Sequence, residues 1–368
     1  MQTQETVLEI DLHALAHNYK FITSNISEET KVMAVVKAFG YGSDAIAVAK
    51  KLTALGVSYF AVAYAEEGVA LRRAGITLPI LVLHPLPAHC ETIIDSCLEP
   101  AIYSKKILED FLQTAQKKQQ KNYPIHIKFN TGLNRLGFGK EDVPYLRKEL
   151  PKASSLKVAS LFSHLVASED LSEKTFTQQQ IKEFEALADA VSEVLSHRPW
   201  RHQSNTSAIF NYPEAHFDMV RMGIGLYGYG NSEAINEQLK PVATLKAIIT
   251  QIHEVQIHET VGYNRAYTAK GNERIATLAI GHADGISRHY GKGVGSFLIH
   301  GKMAPVVGNV CMDMLMVNVT NIDCEEGDEA LFFGSEQSAA ALSKRAQTIP
   351  YELLTGISQR VKRVVLGA

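Results

Sequence analysis

The feature that most constrains this fold is an alternation. Short β-branched or apolar runs at residues 7–11, 32–36, 59–63, 80–83, 101–103, 125–129, 158–163 and, more weakly, 219–222 are separated by stretches of helical period. Such alternation is the signature of repeated β/α units around a parallel sheet, and eight runs meet the requirement of a closed (β/α)8 TIM barrel. Helices are expected over 14–24, 44–55, 66–74, 89–96, 104–119, 143–150 and 177–195. In the last of these, Ile181, Phe184, Leu187, Ala188, Val191 and Leu195 fall at three- and four-residue steps, with Lys182, Glu183 and Glu185 opposite. After about residue 235 the rhythm changes. Runs at 243–252, 275–280, 294–299, 304–307, 314–319 and 329–333 are separated by Gly, Asn and Asp, with one short helix near 338–345 and a last strand at 361–366. The expected organisation is therefore an α/β chain: a barrel over 1–235 and a mostly-β domain over 236–368.

Charge removes several function classes. The 368 residues carry 37 Lys+Arg against 39 Asp+Glu, a net charge of −2, which argues against nucleic acid or an anionic membrane as the partner. Cys90, Cys97, Cys311 and Cys324 contain no C-x-x-C pair and read as reduced thiols. The first eleven residues lack a basic region followed by an apolar run, and no apolar stretch reaches membrane-spanning length. A cytoplasmic enzyme with no metal site is the expectation.

The first chemical landmark is Lys37, at the C-terminal end of an early apolar strand, where barrel enzymes place catalytic groups. Phe39-Gly40-Tyr41-Gly42 follows, so a phenol arrives four residues later on a glycine-hinged loop. A desolvated lysine can be neutral enough to form a Schiff base. Gly223-Ile224-Gly225-Leu226-Tyr227-Gly228 satisfies G-x-G-x-x-G, but it stands far from any first strand and leads to Tyr229-Gly230-Asn231 rather than a helix. A dinucleotide site is not expected there.

Leu8-Glu9-Ile10-Asp11-Leu12-His13-Ala14-Leu15-Ala16-His17-Asn18-Tyr19 followed by Ala34-Val35-Val36-Lys37-Ala38-Phe39-Gly40-Tyr41-Gly42 resembles the opening of bacterial alanine racemases, and the resemblance runs the length of the chain. It implies that Lys37 holds pyridoxal 5′-phosphate covalently and is one of two catalytic bases, and that Tyr41 helps hold the phosphate. Lys128-Phe129-Asn130-Thr131-Gly132-Leu133-Asn134-Arg135 matches the segment whose arginine meets the cofactor's phenolic oxygen and the substrate. That arginine is steadied by a lysine carbamylated in many members, which makes Lys128 the candidate; Asn130 stands where many have aspartate. His164 would link the second base to the arginine at the pyridine nitrogen, and Arg221 would be that arginine. Asn205, Thr206, Gly223 and Ile224 would surround the phosphate with Tyr351.

In the β domain, Tyr263 within Val261-Gly262-Tyr263-Asn264-Arg265 would be the second base. The backbone of Met312 would meet the substrate carboxylate, and Asp313 would stand at the entrance. His282, where a tyrosine is usual, would line the inner gate. The resemblance thus implies two-base interconversion of L- and D-alanine for peptidoglycan by a homodimer with shared sites. The alternatives are a related decarboxylase, in which an acid replaces the Arg221-type residue, a broad-specificity racemase, or a non-catalytic pyridoxal-phosphate carrier, which would leave the Tyr263 and Cys311-Met312-Asp313 motifs without purpose.

Overall fold

The computed structural model describes residues 5–367, so residues 1–4 and 368, the outer ends of the two expected domains, lie outside the described residues. The chain begins with strand β1 (Val7–Asp11), whose last residue caps a helix: the Asp11 carboxylate accepts from the backbone N–H of His13 at 2.7 Å and Ala14 at 3.1 Å. That helix, Leu12–Thr23, buries Leu12, Leu15, Tyr19 and Ile22.

Eight parallel strands follow: β2 (Lys31–Val35), β3 (Tyr59–Val62), β4 (Ile80–Val82), β5 (Glu99–Ile102), β6 (Tyr123–Lys128), β7 (Leu156–Phe162), β8 (Trp200–His202) and β9 (Met219–Met222). Each pairs with the next from β2 to β8, and β2 also pairs with β9. Backbone bonds from Asp218 N–H to Arg201 O and from Arg221 N–H to Ser204 O, at 3.1 and 3.0 Å, close the ring. This is a TIM barrel. Its outer helices include Ala45–Ala54, Ala65–Arg73, Cys90–Asp95, Lys105–Lys117, Val143–Glu149 and Lys174–Ser192. The last starts three residues before the expected helix and ends before Leu195, yet keeps Ile181, Phe184, Leu187, Ala188 and Val191 buried.

Two corrections to the sequence reading offset each other. The run 7–11 is a strand, but not of the barrel: β1 lies in the other sheet, antiparallel to β10 (Ala243–Val255) and parallel to a strand formed by Lys362–Leu366. The missing barrel strand is β8, the three residues Trp200-Arg201-His202, which no apolar pattern marks. The total of eight survives; the membership changes.

The second sheet is built from β10, β13 (Glu273–Leu278), β14 (Ser296–Ile299), β15 (Lys302–Val307), β16 (Leu315–Asn318), β17 (Glu329–Phe333) and β18 (Lys362–Leu366), with β11 (Thr260–Val261) and β12 (Tyr267–Thr268) forming a small hairpin. A register shift between Ile249 and Gln251 bends the long β10, so that it pairs β17 along one half and β13 along the other. Six strands therefore close on themselves, and β1 and β18 extend the sheet. Asn18 fastens the two parts together: its amide donates to Leu226 O and Lys240 O, and its carbonyl accepts from Lys240 N–H.

Candidate active site

Lys37 stands two residues past the end of β2, and the backbone after it turns left-handed. Ala38, Phe39, Gly40 and Tyr41 all have φ between 52° and 66°, and Gly42 follows at 82°. Gly40 N–H bonds Val36 O and Gly42 N–H bonds Ala38 O, so this is one turn of left-handed helix. Non-glycine residues there cost of order 1–3 kcal/mol each, and such strain collects at functional sites. Two anchors hold it. Glu67 accepts from the backbone N–H of Ala38, Ala63 and Tyr64 at 2.6, 2.7 and 3.2 Å. At Gly42 any Cβ would lie 2.0 Å from the carbonyl of Leu354, so only glycine lets the turn seat on the helix Pro350–Thr355. That helix brings Tyr351 beside Tyr41, with ring centroids 6.0 Å apart.

At this C-terminal mouth of the barrel lies a cavity of about 620 Å³. It gathers Lys37, Tyr41, Lys128, Arg135, His164, Asn205, Thr206, Arg221, Gly223, Ile224 and Tyr351, residues that span most of the chain. Four are cationic types and none of the lining residues is Asp or Glu. The consequences are electrostatic. Burial, then Arg135, pull the Lys37 ammonium below its ordinary value, with Glu67 opposing. Burial, then Arg135, Arg221 and Lys37, bring Lys128 down to about 8. His164 is held well below the usual imidazole range by burial and by Arg221, Lys128, Arg135 and Lys37, and is therefore neutral.

Arg221, on β9, is buried without a carboxylate on its guanidinium. Nη1 donates to His202 Nδ1 at 2.7 Å and to His202 O at 3.2 Å; Nη2 donates to Ser163 O and Gln203 O at 2.8 Å and to His164 Nδ1 at 3.1 Å. Burial draws it down to about 9, still protonated at neutral pH. Because a guanidinium only donates, the His164 nitrogen facing it accepts, which leaves the His164 proton on Nε2. These bonds engage Nη1 and Nη2; the Nε–H of Arg221 has no partner among the described residues.

On the cavity wall just beyond the ends of β8 and β9, Thr206 Oγ1 accepts from Gly223 N–H at 3.2 Å and Gly225 N–H at 3.3 Å. Asn205 caps the helix Thr206–Asn211, its Oδ1 taking Ala208 N–H and the Ser168 hydroxyl. Gly223 lies so close to Tyr41 that a Cβ would come within 2.8 Å of the hydroxyl. The G-x-G-x-x-G segment is thus part of this wall, where Ile224–Tyr227 forms a short 3-10 turn.

Tyr263, Met312 and Asp313 are brought together, but elsewhere. They line a shallow depression with Val261, Gly262, Cys311, Met314 and Met316, and none of the three lines the Lys37 cavity. Tyr263 is 73% exposed. His282 is exposed beside them, its N–H bonded to Cys311 O at 2.9 Å, and Asp313 is held by Arg360, which also clasps Asp284. One chain therefore presents two separate constellations.

Three buried groups on the barrel axis escaped the sequence reading: Glu99, His126 and Ser160. The available signal was His126 flanked by Ile125 and Ile127, a polar side chain within an apolar strand. Among the described residues no cluster of three or more His, Cys, Asp or Glu is placed to hold a metal, and no helix is long and apolar enough to cross a membrane.

Comparison with known proteins agrees over both parts of the chain. Residues 10–231 match the alanine racemase N-terminal domain and residues 242–365 the alanine racemase C-terminal domain. An alanine racemase of Halothermothrix orenii is 36% identical over 369 residues, covering 98% of this chain and 97% of the relative. The solved alanine racemase of Clostridium difficile 630 superposes with a TM-score of 0.92 at 34% identity, covering 100% of this chain and 97% of that one. The alanine racemase of Bartonella henselae with covalently bound pyridoxal phosphate gives 0.90 at 28%, covering 99% and 100%. With both domains matched in order and relatives aligned end to end, the chain belongs to the alanine racemase family.

Proposed function

We propose that this chain interconverts L- and D-alanine with pyridoxal 5′-phosphate bound in the Lys37 cavity. The observation that carries the reading is the pairing, in one cavity, of a lysine whose charge is disfavoured with a buried arginine whose Nε–H is left over. The residues fit the cofactor: an amine for its aldehyde, a donor for its ring nitrogen, and a wall at Thr206, Gly223 and Ile224, narrowed to glycine by Tyr41, for its phosphate. When bound, the group supplies an electron sink for the pair left at the substrate α-carbon.

The chain's own residues do the rest. Lys37 takes or returns the α-proton on one face, serving the D-enantiomer, and Tyr263 works on the other, serving the L-enantiomer. Arg221 donates to the ring nitrogen and keeps it unprotonated, which weakens the sink and disfavours transamination. His164, neutral and protonated on Nε2, joins Arg221 to Tyr263. Arg135 faces the cofactor's phenolic oxygen and the substrate, Met312 N–H meets the substrate carboxylate, and His282 and Asp313 border the approach. Tyr41 and Tyr351, whose phenol is pushed up to about 12 by burial and by Glu169, remain neutral donors toward the phosphate. Lys128, near 8, has enough neutral amine at physiological pH to take up carbon dioxide, and a carbamate would give the cationic cavity an anion.

Tyr263 comes from the partner subunit of a homodimer in this reading. Its exposure supports that, as do the exposed Phe39 and Tyr64 near the cavity and Met312 and Met314 near Tyr263. The product's use would be peptidoglycan synthesis in the cytoplasm. The test is incubation of L-alanine with the cofactor-loaded protein, chiral analysis, and borohydride reduction with peptide mapping. D-alanine should appear and the pyridoxyl group should remain on Lys37. Carbon dioxide release instead would indicate a decarboxylase, an activity that the arginine at position 221 argues against.

A further inference from the structure

Below Arg221 the barrel axis is filled by an unbroken line of polar side chains. His202 Nδ1 accepts from Arg221, and its Nε2 lies 2.9 Å from Ser160 Oγ. Ser160 Oγ lies 2.6 Å from His126 Nδ1, and His126 Nε2 lies 2.7 Å from Glu99 Oε2. Tyr59 donates to the same oxygen at 2.8 Å. His126, Ser160 and His202 are wholly buried, while the Glu99 side chain, on the first residue of β5, is 11% exposed at the barrel floor. The line joins the floor to the active mouth.

Its direction follows from one fixed end. A guanidinium has donors only, so His202 Nδ1 accepts; neutral, as burial and Arg221 hold it, His202 keeps its proton on Nε2. That proton goes to Ser160 Oγ, which sends its own to His126 Nδ1, and His126 Nε2–H meets the carboxylate. Every hydrogen points from Arg221 toward Glu99. Phe162 fixes the His202 ring by stacking on it at 4.8 Å and 6°.

The geometry points to Glu99, His126, Ser160 and His202 as positioning residues for Arg221, the floor carboxylate setting the tautomers that hold the guanidinium square to the cavity. Arg221 has no carboxylate of its own because Glu99 acts as its remote counter-charge through three intervening side chains. An adjacent carboxylate would engage the guanidinium edge and neutralise it; the relay leaves the positive charge facing the cavity. Chains of hydrogen bonds polarise one another in a low-dielectric interior, so removing the terminal charge is felt along the line. The inference rests on the proposed role of Arg221 at the ring nitrogen.

The test is ¹⁵N NMR of histidine-labelled apoprotein, with wild type, Ser160→Ala and Glu99→Gln compared, followed by the ratio of racemisation to transamination in each loaded form. In the wild type, His202 Nδ1 and His126 Nδ1 should give unprotonated resonances. Ser160→Ala removes the acceptor for His202 Nε2–H and should shift the His202 tautomer ratio by about fivefold, the weight of one ordinary neutral hydrogen bond. Glu99→Gln keeps an acceptor oxygen but removes the charge, and should move the His202 Nδ1 resonance although the two side chains do not touch. Transamination should rise in both variants. A wild-type His202 protonated on Nδ1, or a doubly protonated His126, overturns the direction of the line outright, whatever the variants do. Unchanged His202 resonances and an unchanged product ratio in Glu99→Gln would make Glu99 a floor residue only. Tautomers as expected in a protein with no racemase activity would instead reject the functional reading and leave the relay standing.

Discussion

Gly223→Ala tests the proposed phosphate wall of the cavity. The added Cβ would meet the Tyr41 hydroxyl at 2.8 Å, whereas the next ring atom, Cζ, is 3.6 Å away and in ordinary contact. The conflict is therefore with one oxygen. Tyr41 cannot easily retreat, since its buried ring stacks on Tyr227 with centroids 4.5 Å apart and abuts Tyr351. Overpacking of this kind costs about 1–3 kcal/mol, and a hydroxyl displaced from the phosphate site should show that cost in binding. Cofactor affinity is expected to fall about five- to 150-fold, each 1.4 kcal/mol being roughly tenfold. Titration of apoprotein with pyridoxal 5′-phosphate, followed by absorbance, measures it. The control is the same glycine substitution in the Tyr41→Phe background, where the offending oxygen is gone and the added cost should shrink to below about 0.5 kcal/mol. Wild-type affinity in Gly223→Ala, or an equal loss in both backgrounds, would refute the argument that Gly223 and Tyr41 are fitted to each other.

Arg221→Glu should protonate the ring nitrogen and strengthen the sink, lowering racemisation roughly 10²- to 10³-fold while transamination products rise; chiral and keto-acid analysis of one reaction reads both. Mixing inactive Lys37→Ala and Tyr263→Phe proteins under verified subunit exchange should restore about a quarter of wild-type activity, because half the dimers are mixed and half their sites intact; no recovery rejects the shared site. Lys128→Met should stabilise apoprotein at pH 7 in carbon-dioxide-free buffer, since below about pH 8 the folded chain bears an ammonium among Arg135, Arg221 and Lys37. Between that value and the ordinary 10.5 the unfolded chain binds more protons, wild-type stability rises with pH and the variant's advantage should vanish, so a pH-independent difference in denaturant melts counts against the assignment.

The barrel was legible where its strands face apolar helices and illegible where its axis is polar. Residues Trp200–His202 form a strand with a buried histidine at its end, and three residues leave no alternation to detect. Val-Leu-Glu-Ile-Asp at 7–11 reads as a barrel strand because local pattern is blind to partners; its neighbours are residues 243–246 and 362–366, at the far end of the chain. Lys37, Tyr41, Arg135 and Arg221 stood out through motif resemblance, and the cavity brings them together. The left-handed turn after Lys37 could not be read: Ala38 and Phe39 have no preference for positive φ, and tertiary anchoring by Glu67 and Leu354 imposes it. The relay beneath Arg221 was hidden for a related reason, since Glu99, His126 and Ser160 lie on three strands and only the pairing of those strands lines them up.

Charge placement supports the proposal that the two constellations meet in one site across a dimer. A phenol acts as a base near neutrality only where positive charge or donated hydrogen bonds favour its deprotonated form. Tyr263 stands exposed in a depression lined by Cys311, methionines, Val261, Gly262 and Asp313, whose carboxylate is already engaged by Arg360. The cavity around Lys37 has the complementary property: Lys37, Lys128, Arg135 and Arg221 and no lining acid, the nearby Glu67 being turned onto backbone N–H groups. Positive charge disfavours a lysine ammonium and favours a phenolate, so one field would serve both proposed bases once the tyrosine is inserted into it. In the proposed dimer docking performs that insertion. Subunit association then creates the second base rather than merely positioning it, and a monomeric variant should lose exchange of the α-proton on the tyrosine face while retaining cofactor bound at Lys37.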